Sequence, residues 1–208
     1  MFSYIASDFD RILQLTVQHL WLAGSALVIS AVIALPIGLV IEREKRVTAA
    51  ALGFLGTLYT IPSIVLIILF IPLFGLSSWS VIAALVIYTQ VILVRNLIAG
   101  LRSIDLSLIE ISNGLGMTPW QRWWRVQLPL ALPLMIAGVR LAATAAIAIA
   151  TIGAKFGAGG LGSLLFEGIA QAGRYDKILA GAVTVGILTL VVNWLLLSLE
   201  RRLQVPKE

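Results

Sequence analysis

The chain has 208 residues, of which 15 are Lys or Arg and 10 are Asp or Glu, so 12% are charged where a soluble domain averages about 25%. Hydrophobic residues make up 60%, the formal net charge is +5 and the mean hydropathy is +1.01. These values exclude a soluble globular domain, a disordered chain and a peripheral amphipathic binder, and define a polytopic membrane protein. There is no cysteine, which excludes a disulfide scaffold, thiolate metal sites and cysteine catalysis. The positive charge sits at the ends of apolar runs, where it orients the chain in a membrane rather than binding nucleic acid.

In chain order, three windows carry no charge: Ile12 to Ile41, Val47 to Val94 and Ile178 to Leu199. A bilayer core takes about 20 apolar residues per helix, so the second window holds two spans. Pro72, Gly75 and Ser77-Ser78 mark the turn between them. The spacing predicts five transmembrane helices at Leu20–Ile41, Thr48–Pro72, Trp79–Leu97, Leu130–Thr151 and Ile178–Leu199. The chain then divides into an outer N-terminal segment (1–19), a transmembrane domain (20–199) and a cytoplasmic tail (200–208). Barrel strands are excluded because they alternate polar and apolar residues over about 10 positions. The N-terminus lacks the basic n-region of a cleavable signal peptide.

Charge decides orientation. With the N-terminus outside, the inner segments hold Arg43, Lys45, Arg46, Arg102, Arg122, Arg125, Arg201, Arg202 and Lys207. The outer segments hold only Arg11, Lys155, Arg174 and Lys177, so the positive-inside rule favours N-out and C-in. His19 is expected as a boundary residue at the outer end of the first span. In the fourth span Gly138, Ala142, Ala146 and Ala150 form a small-residue stripe at i+4 spacing. Such stripes let helix backbones approach closely, either within the chain or at a seam with a second subunit.

The cytoplasmic loop from Leu101 to Gln127, between the third and fourth spans, is the most informative segment. Ser107 and Glu110 fit a capping box, and Leu106, Ile109 and Leu115 give an apolar side to a short helix. Gly114 and Gly116 weaken its end and Thr118-Pro119 stops it. Trp120, Trp123 and Trp124 beside Arg122 and Arg125 suit the headgroup layer. A short surface helix with two glycines reads as a docking element for a soluble partner, or as a plain interfacial helix.

Glu110-Ile111-Ser112, then Gly116, Val126 and Leu128-Pro129, resembles in spacing the EAA---G---------I-LP signature of ABC importer permeases. Ile111 and Ser112 replace the two alanines, making the first turn bulkier, and Val126 stands for isoleucine. Further stretches are Ile61-Pro62-Ser63, Tyr88, Arg95-Asn96, Gly114 to Gln121, Ala137 to Ala142 and Gly157 to Gly162. With these, the chain from about His19 to Arg202 looks like the permease subunits of osmoprotectant importers, which carry glycine betaine, carnitine, choline and related quaternary amines. Val91 stands where that family usually has proline, which bears on a kink expected near Arg95.

The resemblance implies an all-α type I ABC importer permease fold in a bacterial or archaeal plasma membrane. It implies a second permease chain, identical or related, an ABC ATPase dimer and an extracytoplasmic substrate-binding protein. ATP and Mg²⁺ would belong to the ATPase, since this chain has no G-x-x-x-x-G-K-[ST] sequence, no metal-ligand cluster and hence no cofactor of its own. Glu110, Ser112, Gly114, Gly116, Met117 and Thr118 would dock the ATPase. Arg140, with Thr144 and Thr151 on its face, either lines the path or bonds interior carbonyls. Gly157, Gly159 and Gly160 form an outer gate or a plain flexible loop. Phe74, Trp79 and Tyr88 offer faces to a quaternary ammonium or belong to an interfacial belt. A methionine permease and an ion-gradient-driven carrier or channel are the competing readings.

Overall fold

A computed structural model describes residues 2–203; the end of the tail, with Lys207, lies outside the described residues. The described residues are helical almost throughout. The elements are α1 (Phe2–Ser7), α2 (Phe9–Ile41), α3 (Lys45–Thr60), α4 (Ser63–Phe74) and α5 (Ser78–Arg102), then α6 (Leu106–Gly114), α7 (Pro119–Arg122), α8 (Leu128–Gly153), α9 (Gly162–Ala170) and α10 (Tyr175–Leu203). Four helical stretches are long and apolar enough to cross a membrane: Phe9–Ile41, Ser78–Arg102, Pro119–Phe156 and Tyr175–Leu203.

The expected second span, Thr48–Pro72, is a broken pair. α3 and α4 meet at an angle of 89°. Ile61 before Pro62 is pushed to an extended conformation (φ −67°, ψ 126°), as the residue before proline generally is, and the helix stops there. Pro36 and Pro72, by contrast, stay inside their helices. α5 runs unbroken through Val91, where no proline ring interrupts it.

α5 packs against α2, α3, α4 and α8, and α8 packs in turn on α10. The central core holds Leu22, Ala26, Leu66, Ile67, Val81, Leu85, Ala146, Ile147 and Ala150. Inside it, the Ser30 and Thr89 hydroxyls are 2.7 Å apart, and Gln90 Nε2 donates to the Ser30 carbonyl at 3.2 Å. These bonds pin α2 to α5 where water cannot reach, and leave Gln90 Oε1 as a buried acceptor without a partner.

Two expectations change here. α2 begins at Phe9, not Leu20, and its 33 residues span roughly 50 Å, longer than a bilayer core. The segment 1–19 is thus largely helical, and His19 is no boundary residue. It is fully buried, with Nε2 3.0 Å from the Ile147 carbonyl of α8. The small-residue stripe is covered by its own chain. Ala142, Ala146 and Ala150 are all 0% exposed, and a Cβ at Gly138 would lie 2.5 Å from Asn96 Cβ of α5. The stripe exists so that α8 and α5 can touch, which leaves it no surface for a subunit seam.

Ala146→Leu should therefore destabilise the fold by about 1–3 kcal/mol through overpacking, read as a lower melting temperature in detergent. Ala148→Leu, on the exposed side of the same helix, should leave it nearly unchanged.

Candidate functional site

The interior segment folds by local rules that differ from the expected capping box. Asp105, not Ser107, caps α6: its carboxylate accepts from the Ser107 N–H at 2.9 Å, which holds the Asp105 carboxyl below its ordinary value. Glu110 is left free on the exposed side. The reciprocal box occurs one turn of chain later, where Thr118 Oγ1 accepts from the Gln121 N–H and Gln121 Oε1 accepts from the Thr118 N–H.

α6 ends in a Schellman motif. The Met117 N–H donates to the Ser112 carbonyl at 3.1 Å and the Gly116 N–H to the Asn113 carbonyl at 2.9 Å, with Gly116 at φ +70°. Gly116 is thus needed by the backbone itself. Gly114 is different: a Cβ there would meet nothing within 4 Å, so only a partner can crowd it.

The anticipated docking residues separate into two faces. Ser112 is buried, its hydroxyl donating to the Ile109 carbonyl at 2.7 Å, so it faces the protein. Glu110, Gly114, Gly116 and Thr118 are exposed and Met117 is half-buried. The bulk of Ile111 points outward as well, beside Leu106 and Leu115, giving a largely apolar exposed patch on a nine-residue helix. This patch differs from the lipid-facing surfaces of the spans because charged and amide side chains surround it.

The stretch from Trp120 to Gln127 is not a loop. α7 continues through a π-helical turn, Trp123–Gln127, into α8, making one helix from Pro119 to Phe156. Pro129 and Pro133 lack N–H groups, and a proline ring crowds the carbonyl four residues back. The π turn widens the helix just before them, closing with the Leu128 N–H on the Trp123 carbonyl. Arg122 donates to Asn113 Oδ1, tying α7 back to α6. A cleft of ≈ 430 Å³ lies between this region and the end of α2, lined by Glu42, Arg43, Trp120, Arg122 and Trp123 among others.

Arg140 is not a bare cation. Its Nε lies 3.0 Å from Glu200 Oε2 and its Nη1 donates to Asn193 Oδ1 at 3.3 Å, both on α10. The pair meets the requirement that an ionised group at membrane depth find a partner, and it ties α8 to α10. Thr144 and Thr151 spend their hydroxyls on carbonyls of their own helix, Arg140 and Ile147, at 3.0 Å. Thr144 remains on an exposed face.

The glycine run packs onto α2. The Gly160 N–H donates to Gln18 Oε1 at 3.2 Å, and a Cβ at Gly160, where φ is +80°, would lie 2.9 Å from His19 Nδ1. Gly157 and Gly159 also have positive φ. Beyond the run, Glu167 of α9 bridges Arg11 of α2 (2.5 Å) and Lys177 of α10 (3.5 Å). So the run is a fitted joint against α2, and ion pairs hold the helix that follows it. Sequence reasoning missed Glu167, Asn193 and Tyr59. The break at Ile61-Pro62 was the available signal for Tyr59, because it brings the end of α3 to Tyr88, with ring centroids 4.4 Å apart.

The arrangement is that of a polytopic membrane protein with an exposed short helix between two of its spans. Residues 13–205 match the family of binding-protein-dependent transport system inner membrane components, and the chain belongs to that family. It is 39% identical over 201 residues to the carnitine transport permease OpuCB of Listeria monocytogenes, covering 97% of this chain and 92% of that one. It is 32% identical over 202 residues to the glycine betaine/carnitine/choline transport system permease OpuCB of Bacillus subtilis, covering 97% and 93%. Among solved structures, an inward-facing MetNI methionine ABC transporter superposes with a TM-score of 0.80 over 94% of this chain and 99% of that one, at 22% identity. The fold is therefore that of a type I ABC importer permease, and the chain is a transport subunit, not an enzyme.

Glu200→Gln should cost about 1–3 kcal/mol by leaving Arg140 short of its charge partner, measured by thermal unfolding in detergent. Replacing Arg140 and Glu200 together by Met should recover most of that loss.

Proposed function

We propose that this chain is the permease subunit of an ATP-driven importer of quaternary-amine osmoprotectants such as glycine betaine, carnitine or choline. It works with a second permease chain, a pair of ATPases and an extracytoplasmic substrate-binding protein. The observation that carries this reading is the exposed α6 patch joined without a flexible link to α8. The names of its relatives support the substrate class, each being a carnitine or a glycine betaine/carnitine/choline permease. The 22% identity to the methionine transporter supports the fold only.

In this mechanism nucleotide and Mg²⁺ bind on the ATPase, which grips α6 at Leu106, Glu110, Ile111, Gly114 and Leu115. ATP-driven closure of the ATPase pair moves α6. The Asn113–Arg122 bond and the Schellman turn pass that motion to α7, and the helix to Phe156 passes it through the membrane as a rigid body. The Arg140–Glu200 pair carries α10 along. The glycine run at the far end of α8 then shifts against Gln18 and His19. This is alternating access by rocking between two packings of similar energy. The N-terminus lies outside and the C-terminus in the cytoplasm, on the side where α6 and its arginines meet the ATPase.

Gly114→Trp separates docking from folding, because Gly114 is exposed and a Cβ there meets nothing within 4 Å. The variant should insert at the wild-type level yet lose at least about tenfold of ATP-dependent uptake in proteoliposomes with trapped ATP. Wild-type uptake by that variant would count against docking at α6.

A further inference from the structure

Arg95 is the residue that neither the docking helix nor the helix-to-helix pairs account for. It lies in α5 about 10 Å inside the Arg102 end, and its side chain is exposed. Among the described residues it makes no hydrogen bond and no ion pair, in contrast to Arg140, Arg11, Arg102 and Arg122, all of which are bonded. The expected span ends at Leu97, so a free guanidinium at Arg95 either reaches the headgroup layer or borders a wet path or a bound anion.

The surroundings of Arg95 say which. It lines a cleft of ≈ 310 Å³ with Gly56 and Tyr59 of α3, Asn96 of α5 and Leu141 of α8. That volume is at the small end of ligand sites, about 300 to 1,000 Å³. Tyr59 lines the cleft, and its ring is held from behind by that of Tyr88, with centroids 4.4 Å apart and planes tilted by 41°. Asn96 uses one amide hydrogen on the Ile92 carbonyl at 2.8 Å and keeps the other. Exposed Thr144 lies one helical turn beyond Leu141 on α8. The cleft therefore has a cationic, hydrogen-bond-donating end and an electron-rich aromatic end.

We propose that this cleft is an intramembrane substrate subsite for a small zwitterion, its carboxylate held by Arg95 and Asn96 and its quaternary ammonium against the Tyr59 ring. Aromatic faces attract a cation that has no N–H to donate. A guanidinium supplies paired donors matched to a carboxylate. The inference rests on the substrate class proposed above and adds the place in the membrane where that substrate pauses. It also sets a preference: a quaternary amine with a carboxylate satisfies both ends, whereas one without it leaves Arg95 unpaired.

The test uses the whole importer, assembled with its ATPase and binding protein in proteoliposomes, and labelled glycine betaine and carnitine. Arg95→Gln should lower uptake of both by at least about tenfold, and Arg95→Lys, which keeps the charge but not the paired donors, should recover only part of that loss. Tyr59→Ala should lower uptake while Tyr59→Phe restores it; this pair decides the matter if Arg95→Gln fails to insert. Wild-type uptake by Arg95→Gln, or by Tyr59→Ala, overturns the subsite. So does loss of the permease pair on sizing of Arg95→Gln, which would make Arg95 an inter-subunit contact. A wild-type importer that carries no quaternary amine fails the substrate class itself, before any variant is made.

Discussion

The continuous helix from Pro119 to Phe156 is the constraint on which the rest depends. One end carries Thr118 and the tie to α6. The other end carries the glycine run against α2. A helix is stiff along its axis because its peptide groups bond within it, so displacement at one end is felt at the other. Prolines at 129 and 133 remove two N–H donors from that ladder. A π turn lies before them, and the helix stays continuous through both.

Polar side chains at the centre of the bundle each find at least one bond; Gln90 Oε1 and His19 Nδ1 have no partner, but both side chains bond through their other polar atom. Ser30, Thr89 and Gln90 bond one another or nearby carbonyls between α2 and α5. Arg140 bonds Glu200 and Asn193. The exception among the membrane arginines, Arg95, borders a cleft of ≈ 310 Å³. Water is absent from the bilayer core, so an unbonded group costs several kcal/mol there, and exceptions point to function.

Much of this was legible in the sequence because hydropathy and helix length are local properties. The unbroken apolar runs account for α2, α5, α8 and α10, and the motif spacing located α6. What was not legible depended on contacts across the chain or on backbone angles. Gly116 looked like a clearance for a partner, yet its own φ explains it; Gly114 carries the clearance. Arg140 looked unpaired because Glu200 is far away in sequence. The stripe on α8 was open to two readings, and only the packing of Asn96 against Gly138 decides between them. Trp120 to Gln127 read as loop because tryptophan and arginine beside proline resemble an interfacial turn, and π-helical pairing has no sequence signature.

The account stands or falls on whether α6 and α8 move as one piece. Spin labels at Leu108 and Ala148, both exposed and neither among the residues the ATPase grips, report the distance between the surface helix and the membrane helix within one permease of the assembled importer. If the lever is rigid, that distance stays constant between nucleotide-free and ATP-bound states, while the distance between the Leu108 labels of the two permeases changes. A change in the Leu108–Ala148 distance with no movement between the permeases would mean that α6 swings alone and that the helix from Pro119 transmits nothing.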